Sequence, residues 1–363
     1  MIPIAKPVIG REEIKAISDV LKSGNLVQGR LTKEFEKRFS EYNSISSSIA
    51  TSNGSTALFT AVRALGLGKG DEVITTPFSF IASSNCLVQN RLKPVFADID
   101  KKTFNIDPEK IESAVTKKTK AVLVVHLYGN PCEMEKIIDI CNRHNLVLIE
   151  DCCQAHGAEY YNKKVGTFGE ISCFSFYATK NMTTGEGGAI LTSDKWLEQK
   201  CREIINHGQS EKYVHTSIGY NFRMTDMQAA LGIVQLSKLD KMNDKRIRNA
   251  ALFNKYLWKI KNIETPLSKL GVKHVFHQYT IKVKDGFPRN RDQLQEFLNK
   301  RDVQTGIHYP IPIHLQPSYR KRCNISLPVS EEVSKEVLSL PVHPLLSRNE
   351  VMYIADLISE VAT

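Results

Sequence analysis

Continuously apolar runs of a few residues recur along the chain, separated by stretches whose apolar positions return every three or four residues. The runs AVLVVH at 121–126 and LVLIE at 146–150 have no polar face, the pattern of strands buried on both sides. Shorter runs at 72–76, 94–97, 171–176 and 188–192 read the same way. Helical spacing marks Ile14, Ile17, Val20 and Leu21, then 31–39, then Phe59, Val62 and Leu65, then 81–89, 108–115 and 134–144. The stretch from 40 to 53 is serine-rich and receives no element. Strands separated by helices predict a mainly parallel sheet covered on both faces, with ligands bound outside the carboxyl ends of its strands.

The pattern changes after residue 216. A polar loop leads into a helix carrying Met227, Ala230, Leu231 and Val234, a long helix follows over 233–261, and 266–273 reads as a boundary region. Beyond it come a strand at 278–283, a helix at 292–300, the proline-rich HYPIPIH at 308–314, a strand-like 338–340 and a final helix from Asn349. The expectation is an α/β protein in two parts. A large domain would span 1–240 with the N-terminal arm and first helices, and a smaller α+β domain would span 241–363 with the linking helix.

The stretch SCFSFYATKNMTTGEGG at 172–188 holds the most specific chemistry. Lys180 follows an apolar strand and precedes Gly185, Gly187 and Gly188, which let the loop close tightly. A lysine amine becomes a useful nucleophile when its pKa is depressed and its position fixed. The plain alternative is a solvated loop lysine beside an ordinary turn. Asp151 stands at a strand's carboxyl end, either as a helix cap or as an acceptor aimed into the crevice, with Gln154 and His156 within reach of the same cleft. Residues 52–56 look like a loop feeding a helix, whose unpaired N–H groups either bind phosphate or take an ordinary cap. Phe80 could lie against a flat ring or simply pack, and Asn221 and Arg223 sit in the polar loop.

Totals narrow the partners. The chain has 363 residues and a net charge of +10, a moderately basic surface that suits anionic ligands without indicating nucleic acid. Its densest basic stretch, 238–261, is interleaved with Leu239, Ile247, Leu252 and Leu257 as in a helix with one solvated face. The eight cysteines form no C-x-x-C pair, so reduced and mostly buried thiols are expected. Cys152, Cys153 and His156 lack a second ligand cluster, and no metal is expected. The first residues lack a signal peptide's apolar region and no run approaches a membrane span, so a cytoplasmic protein with no membrane association is expected.

Six segments, in order over nearly the whole chain, resemble the DegT/DnrJ/EryC1/StrS family of sugar aminotransferases. They are TSNGSTAL at 51–58, TTPFSFIAS at 75–83, EDCCQAHGAEY at 150–160, SFYATKNMTTGEGGAI at 175–190, GYNFRMTDMQAALG at 219–232 and TGIHYPIPIHLQ at 305–316. The resemblance implies the type I, aspartate aminotransferase-like fold and the cofactor pyridoxal 5'-phosphate (PLP), alternating with pyridoxamine phosphate (PMP). It implies that Lys180 holds the cofactor and carries the substrate proton, Asp151 pairs with the ring nitrogen, Phe80 stacks on the ring and Gln154 bonds the ring oxygen. Gly54, Ser55 and Ser175 would bind the phosphate, joined by Asn221 from the neighbouring subunit, which requires a homodimer with a shared active site. His308, Tyr309 and His314 match a segment that faces the sugar nucleotide, and Arg223 is placed to clamp a carboxylate of the amino donor. The chain departs from the family in Gly54-Ser55, where Gly-Thr is common, and in Cys152-Cys153, where alanine is usual.

The function so implied is transfer of an amino group from glutamate to a keto carbon of a nucleotide-linked deoxysugar, for surface glycan or polysaccharide synthesis. The segment at 219–232 leans toward amination at C4 over C3. Alternatives are a PLP-dependent sugar dehydratase, whose relatives replace the lysine by histidine, and a regulatory relative without turnover. Lys180, Asp151 and Gln154 together favour the transaminase.

Overall fold

The computed structural model describes residues 1–362. Its centre is a seven-stranded sheet made of β1 (Ser47–Thr51), β2 (Glu72–Thr75), β3 (Lys93–Phe96), β4 (Thr119–Val125), β5 (Val147–Asp151), β6 (Ile171–Ser175) and β7 (Gly188–Thr192). The spatial order is β1-β7-β6-β5-β4-β2-β3. The pairs among β2, β3, β4, β5 and β6 are parallel, and β7 runs antiparallel to both β6 and β1. Parallel neighbours need crossovers; Ala82–Gln89, Pro108–Ala114 and Met134–His144 supply those from β2 through β5 as helices, while residues 152–170 cross from β5 to β6 without one. Every apolar run is thus a strand of this sheet, covered on both faces by side chains such as Leu58, Ala61, Ile137 and Ile140.

β1 was not foreseen. Ser47-Ser48-Ile49-Ala50-Thr51 has too little apolar density to read as a strand, and its conformation comes from full-length pairing with β7, Ser47 against Thr192 through Thr51 against Gly188. The pairing matters because β1 delivers the chain to the helix Gly54–Ala64 beside the end of β6.

The expected break near 232 is absent. One helix runs from Asp226 to Leu257, started by a capping box between Thr225 and Gln228. Its first half buries Ala229, Leu236, Leu239 and Met242 with Phe35, Phe39, Phe174 and Phe176. Its second half buries Ala250, Phe253 and Leu257 with Tyr279, Ile281, Leu338, Leu340 and Ile354. Residues 240 and 241 therefore lie inside a single helix that serves two cores. The second core is backed by an antiparallel sheet of Ile263–Glu264, Tyr279–Val283 and Val337–Leu340, with the final helix Arg348–Ala362 against the long helix. The helix Pro328–Glu336 was not legible because it buries only Ser330, Val333 and Ser334; its first turn is held by the Asp98 carboxylate, which accepts from Val329 N at 2.9 Å and Ser330 N at 3.0 Å.

Among the described residues no helix is long and apolar enough to cross a membrane. All eight cysteines are free.

Burial pushes five imidazoles well below their ordinary 6.5: His156 and His274 to about 3, His308 and His343 to about 4, and His277 also well down, where the Lys180 and Arg246 charges add to burial. As pH falls from 6.5 toward 4 the unfolded chain takes up these protons while the folded chain does not. Stability is therefore complete above 6.5 and falls with pH below it. Denaturant melts at stepped pH should show this loss with uptake of up to five protons; a flat profile from pH 7 to 4.5 would contradict the buried neutral state.

Candidate active site

A cavity of about 630 Å³ opens where β4, β5 and β6 end. Lys180 lines it from the loop after β6. Two main-chain bonds close that loop, Thr184 N to Phe176 O at 2.9 Å and Phe176 N to Gly187 O at 2.8 Å. A Cβ on Gly188 would stand 2.5 Å from Asn53 O, so the glycine permits the loop to press against the start of the Gly54–Ala64 helix. The Lys180 side chain is half-buried, and no described residue gives its amine a hydrogen bond or ion pair. Burial lowers its pKa below the ordinary 10.5, and Cys153 and Asp151 pull it partly back.

Asp151, at the end of β5, is 3% exposed and lines the same cavity. Its Oδ2 accepts from Ser83 Oγ at 2.7 Å and its Oδ1 from Cys153 N at 3.0 Å. Ser83 pairs in turn with Ser79 at 3.0 Å. Gln154 is held by its own amide, Oε1 accepting from Tyr128 N at 2.8 Å and Nε2 donating to Tyr309 Oη at 3.0 Å.

Gly54 and Ser55 form the first turn of their helix. Asn53 caps it by accepting from Thr56 N at 2.9 Å, and the Gly54 and Ser55 N–H groups have no partner among the described residues. A Cβ on Gly54 would meet Ser175 Cβ at 2.6 Å and Cys153 Sγ at 3.2 Å, so helix start, Ser175 and Cys153 close on one another. Gly54→Ala should displace the Ser175 hydroxyl and weaken binding of a phosphate group at this helix start by about tenfold or more, the worth of one charge-assisted hydrogen bond. Equilibrium titration of the phosphorylated cofactor implied by the resemblance into wild type and variant checks this, and an unchanged Kd would separate Gly54 from phosphate binding.

Phe80 stands at the mouth, 56% exposed, with its ring 6.4 Å from that of Tyr309. His308 and Tyr309 line the cavity, and His308 Nδ1 lies 3.0 Å from Ser339 Oγ.

Other anticipated residues lie elsewhere. His314 is buried inside a short helical turn, 0% exposed, with Nε2 3.1 Å from Glu331 and its ring beside Phe96, so it does not line the cavity. His156 faces the core, its ring 5.5 Å from Phe174 and 5.6 Å from Phe176, and does not reach the cleft as its proximity to Asp151 suggested. Asn221 is exposed and paired with Asn206, while Arg223 bridges to Thr51 and donates Nη1 to Asn206 Oδ1 at 2.6 Å. Neither lines this chain's cavity.

The sequence reading missed Ser83, Tyr128, His277 and Gln278. Ser83 closes the TTPFSFIAS segment, a usable signal; the others lie in stretches with no polar pattern.

His126, Glu150 and Cys152 come within 4.8 Å of one another under β5. The polar atoms of His126 and Glu150 are already committed. Glu150 accepts from Gly166 N, Phe168 N and Gly169 N at 2.7–2.8 Å and from His126 Nε2 at 3.1 Å. His126 Nδ1 accepts from Cys132 N at 3.1 Å, which places the ring proton on Nε2. Burial raises the Glu150 pKa, but His126 and the N–H groups outweigh it and hold the carboxyl low. This is a network that fixes the 166–169 loop.

A helix start with free N–H groups, a buried carboxylate and an unpaired amine lining one cavity fit a phosphorylated pyridine aldehyde. The chain belongs to the DegT/DnrJ/EryC1/StrS aminotransferase family, whose model matches residues 7–359, and it is a PLP-dependent aminotransferase of that family. It is 42% identical over 357 residues to a pleiotropic regulatory protein of Geobacillus stearothermophilus, covering 96% of this chain and 94% of the relative. It is 40% identical over 352 residues to the dTDP-3-amino-3,6-dideoxy-alpha-D-galactopyranose transaminase of Aneurinibacillus thermoaerophilus, covering 96% and 95%. The crystal structure of S. venezuelae DesV superposes with a TM-score of 0.93 at 35% identity, over 97% of this chain and 94% of that one.

Proposed function

We propose that the chain moves an amino group from glutamate to a keto carbon of a nucleotide-linked deoxysugar, and that the amino sugar feeds surface glycan or polysaccharide synthesis in the cytoplasm. The carrying observation is the meeting of Lys180, Asp151, Gln154 and the Gly54–Ser55 helix start around one cavity. When bound, PLP supplies an electron sink for the bond that breaks at the amine-bearing carbon. Lys180 holds the cofactor and, once released, carries the proton at the substrate carbon. Asp151 keeps the ring nitrogen protonated, Gln154 donates to the ring oxygen, and Gly54, Ser55 and Ser175 hold the phosphate. Phe80 covers the ring, while His308 and Tyr309 face the sugar.

Homodimer formation belongs to the same proposal. Ile218, 77% exposed, and Tyr213, 81% exposed, precede Asn221 on the same segment as apolar side chains that a second copy would cover while Asn221 and Arg223 approach the partner's cavity. The division into a cofactor-binding part, 1–240, and a smaller part, 241–363, is likewise proposed, supported by the change of core partners along the long helix.

The segment at 219–232 leans to C4, whereas the dTDP-3-amino sugar transaminase it resembles carries its nitrogen at C3. The catalytic reading is favoured over a regulatory or dehydratase role by the intact Lys180. Incubation with 15N-glutamate and candidate keto-sugar nucleotides, read by mass and NMR, tests both points. Label on C4 or C3 of one sugar supports the reading and chooses the carbon; a product that loses a hydroxyl without gaining nitrogen makes the chain a dehydratase.

A further inference from the structure

Tyr128 follows β4 in a single tight turn, Leu127–Gly129, with φ 58° and ψ 7°. This is the left-handed region, which a bulky residue adopts only where its surroundings over-determine it. The surroundings here are three cavity-lining residues from distant parts of the chain. Tyr128 N donates to Gln154 Oε1 at 2.8 Å, its carbonyl accepts from Gln278 N at 3.3 Å, and its hydroxyl donates to the carbonyl of His308. The ring is 2% exposed, packed edge-on to Phe104 at 5.7 Å in a small core with Phe78, Val333 and Val337. Leu127 N, bonded to Asn105 Oδ1 at 3.0 Å, pins the turn from the other side.

The main-chain N–H of Tyr128 can only donate, so the oxygen of the Gln154 amide must face it and the nitrogen must face the cavity. One Nε2 proton goes to Tyr309 Oη at 3.0 Å, leaving the other free for the cofactor's ring oxygen. Tyr309 in turn is carried by the peptide whose carbonyl Tyr128 holds. The same residue therefore fixes both partners of the Gln154–Tyr309 bond.

We propose that Tyr128 is a positioning residue that locks the Gln154 amide and the His308–Tyr309 wall in one register, so that the cofactor's ring-oxygen donor and the sugar-facing wall are set together. The inference rests on the proposed cofactor contacts. Its test is the pH midpoint of the visible absorbance of protein loaded with PLP, for wild type, Tyr128→Phe, Tyr309→Phe and the double variant, with Tm measured on each. Tyr128→Phe keeps the backbone bonds and the packing while releasing the His308 carbonyl. Both single variants should move the midpoint in the same direction by about half a pH unit, a threefold change in the equilibrium, and the double variant should move it no further than the larger single. If Tyr128→Phe lowers Tm but keeps the wild-type midpoint, Tyr128 is structural only, and if the two shifts simply add, it acts independently of the Gln154–Tyr309 bond; either result overturns the inference. A wild-type protein that shows no visible band with added PLP would instead remove the cofactor reading beneath it.

Discussion

Replacing Lys180 by alanine should abolish turnover, with a fall in kcat on the order of 10⁴-fold or more, because in the proposed reading one amine both holds the cofactor and moves the substrate proton. No described neighbour can substitute: the cavity's other ionisable groups are Asp151, Glu186, Cys153, His277, His308 and two tyrosines, and none combines an amine nucleophile with that position. The variant should fold, since the loop is closed by main-chain bonds at Phe176, Thr184 and Gly187 that do not involve the side chain. It should also change how stability depends on pH. Burial holds the amine's pKa below 10.5, so between that lowered value and 10.5 the unfolded chain keeps a proton that the folded chain has lost. Wild-type stability, without cofactor, should therefore rise relative to Lys180→Ala as pH climbs through this window. Parallel melts from pH 7 to 10.5 measure it, and identical pH profiles for the two proteins would mean that the amine is solvated.

Asp151→Asn should cost about 10²- to 10³-fold in kcat with little change in fold, the scale expected when a pre-placed charge is removed from a buried site. Asparagine can still accept from Cys153 N, and its amide nitrogen can donate to Ser83 Oγ where the carboxylate accepted, so the Ser79–Ser83 pair only needs to reverse. What disappears is the negative charge opposite the proposed ring nitrogen. Kinetics of the loaded variant beside its circular dichroism separate the two effects. If Asp151→Asn kept more than about a tenth of wild-type kcat, Asp151 would be a helix cap and the ring nitrogen would need another partner.

How far the site could be read before its geometry was known depends on where each residue's role resides. Lys180, Asp151 and Gln154 were legible because apolar strands announce their own ends, and in a parallel sheet those ends converge. Gly54 was legible as a helix start, but the reason for glycine there, the 2.6 Å approach to Ser175, is a tertiary contact. His314 falls outside the cavity because a segment that lines it at His308 and Tyr309 turns inward five residues later, where Ile313 N bonds Pro77 O. β1 escaped because its strand conformation is imposed by β7, and the long helix was divided because its buried face changes partners midway while its backbone does not. Tyr128 was invisible for a different reason: two of its three cavity contacts are made by the main chain, which carries no residue-specific signal.

The most direct test of the account is reduction of PLP-loaded protein with borohydride followed by peptide mapping. The account predicts a single stable cofactor adduct on the peptide containing Lys180, and its disappearance if glutamate is added before the reductant, because the donor will have released the lysine. An adduct on another lysine, or none at all, would contradict it.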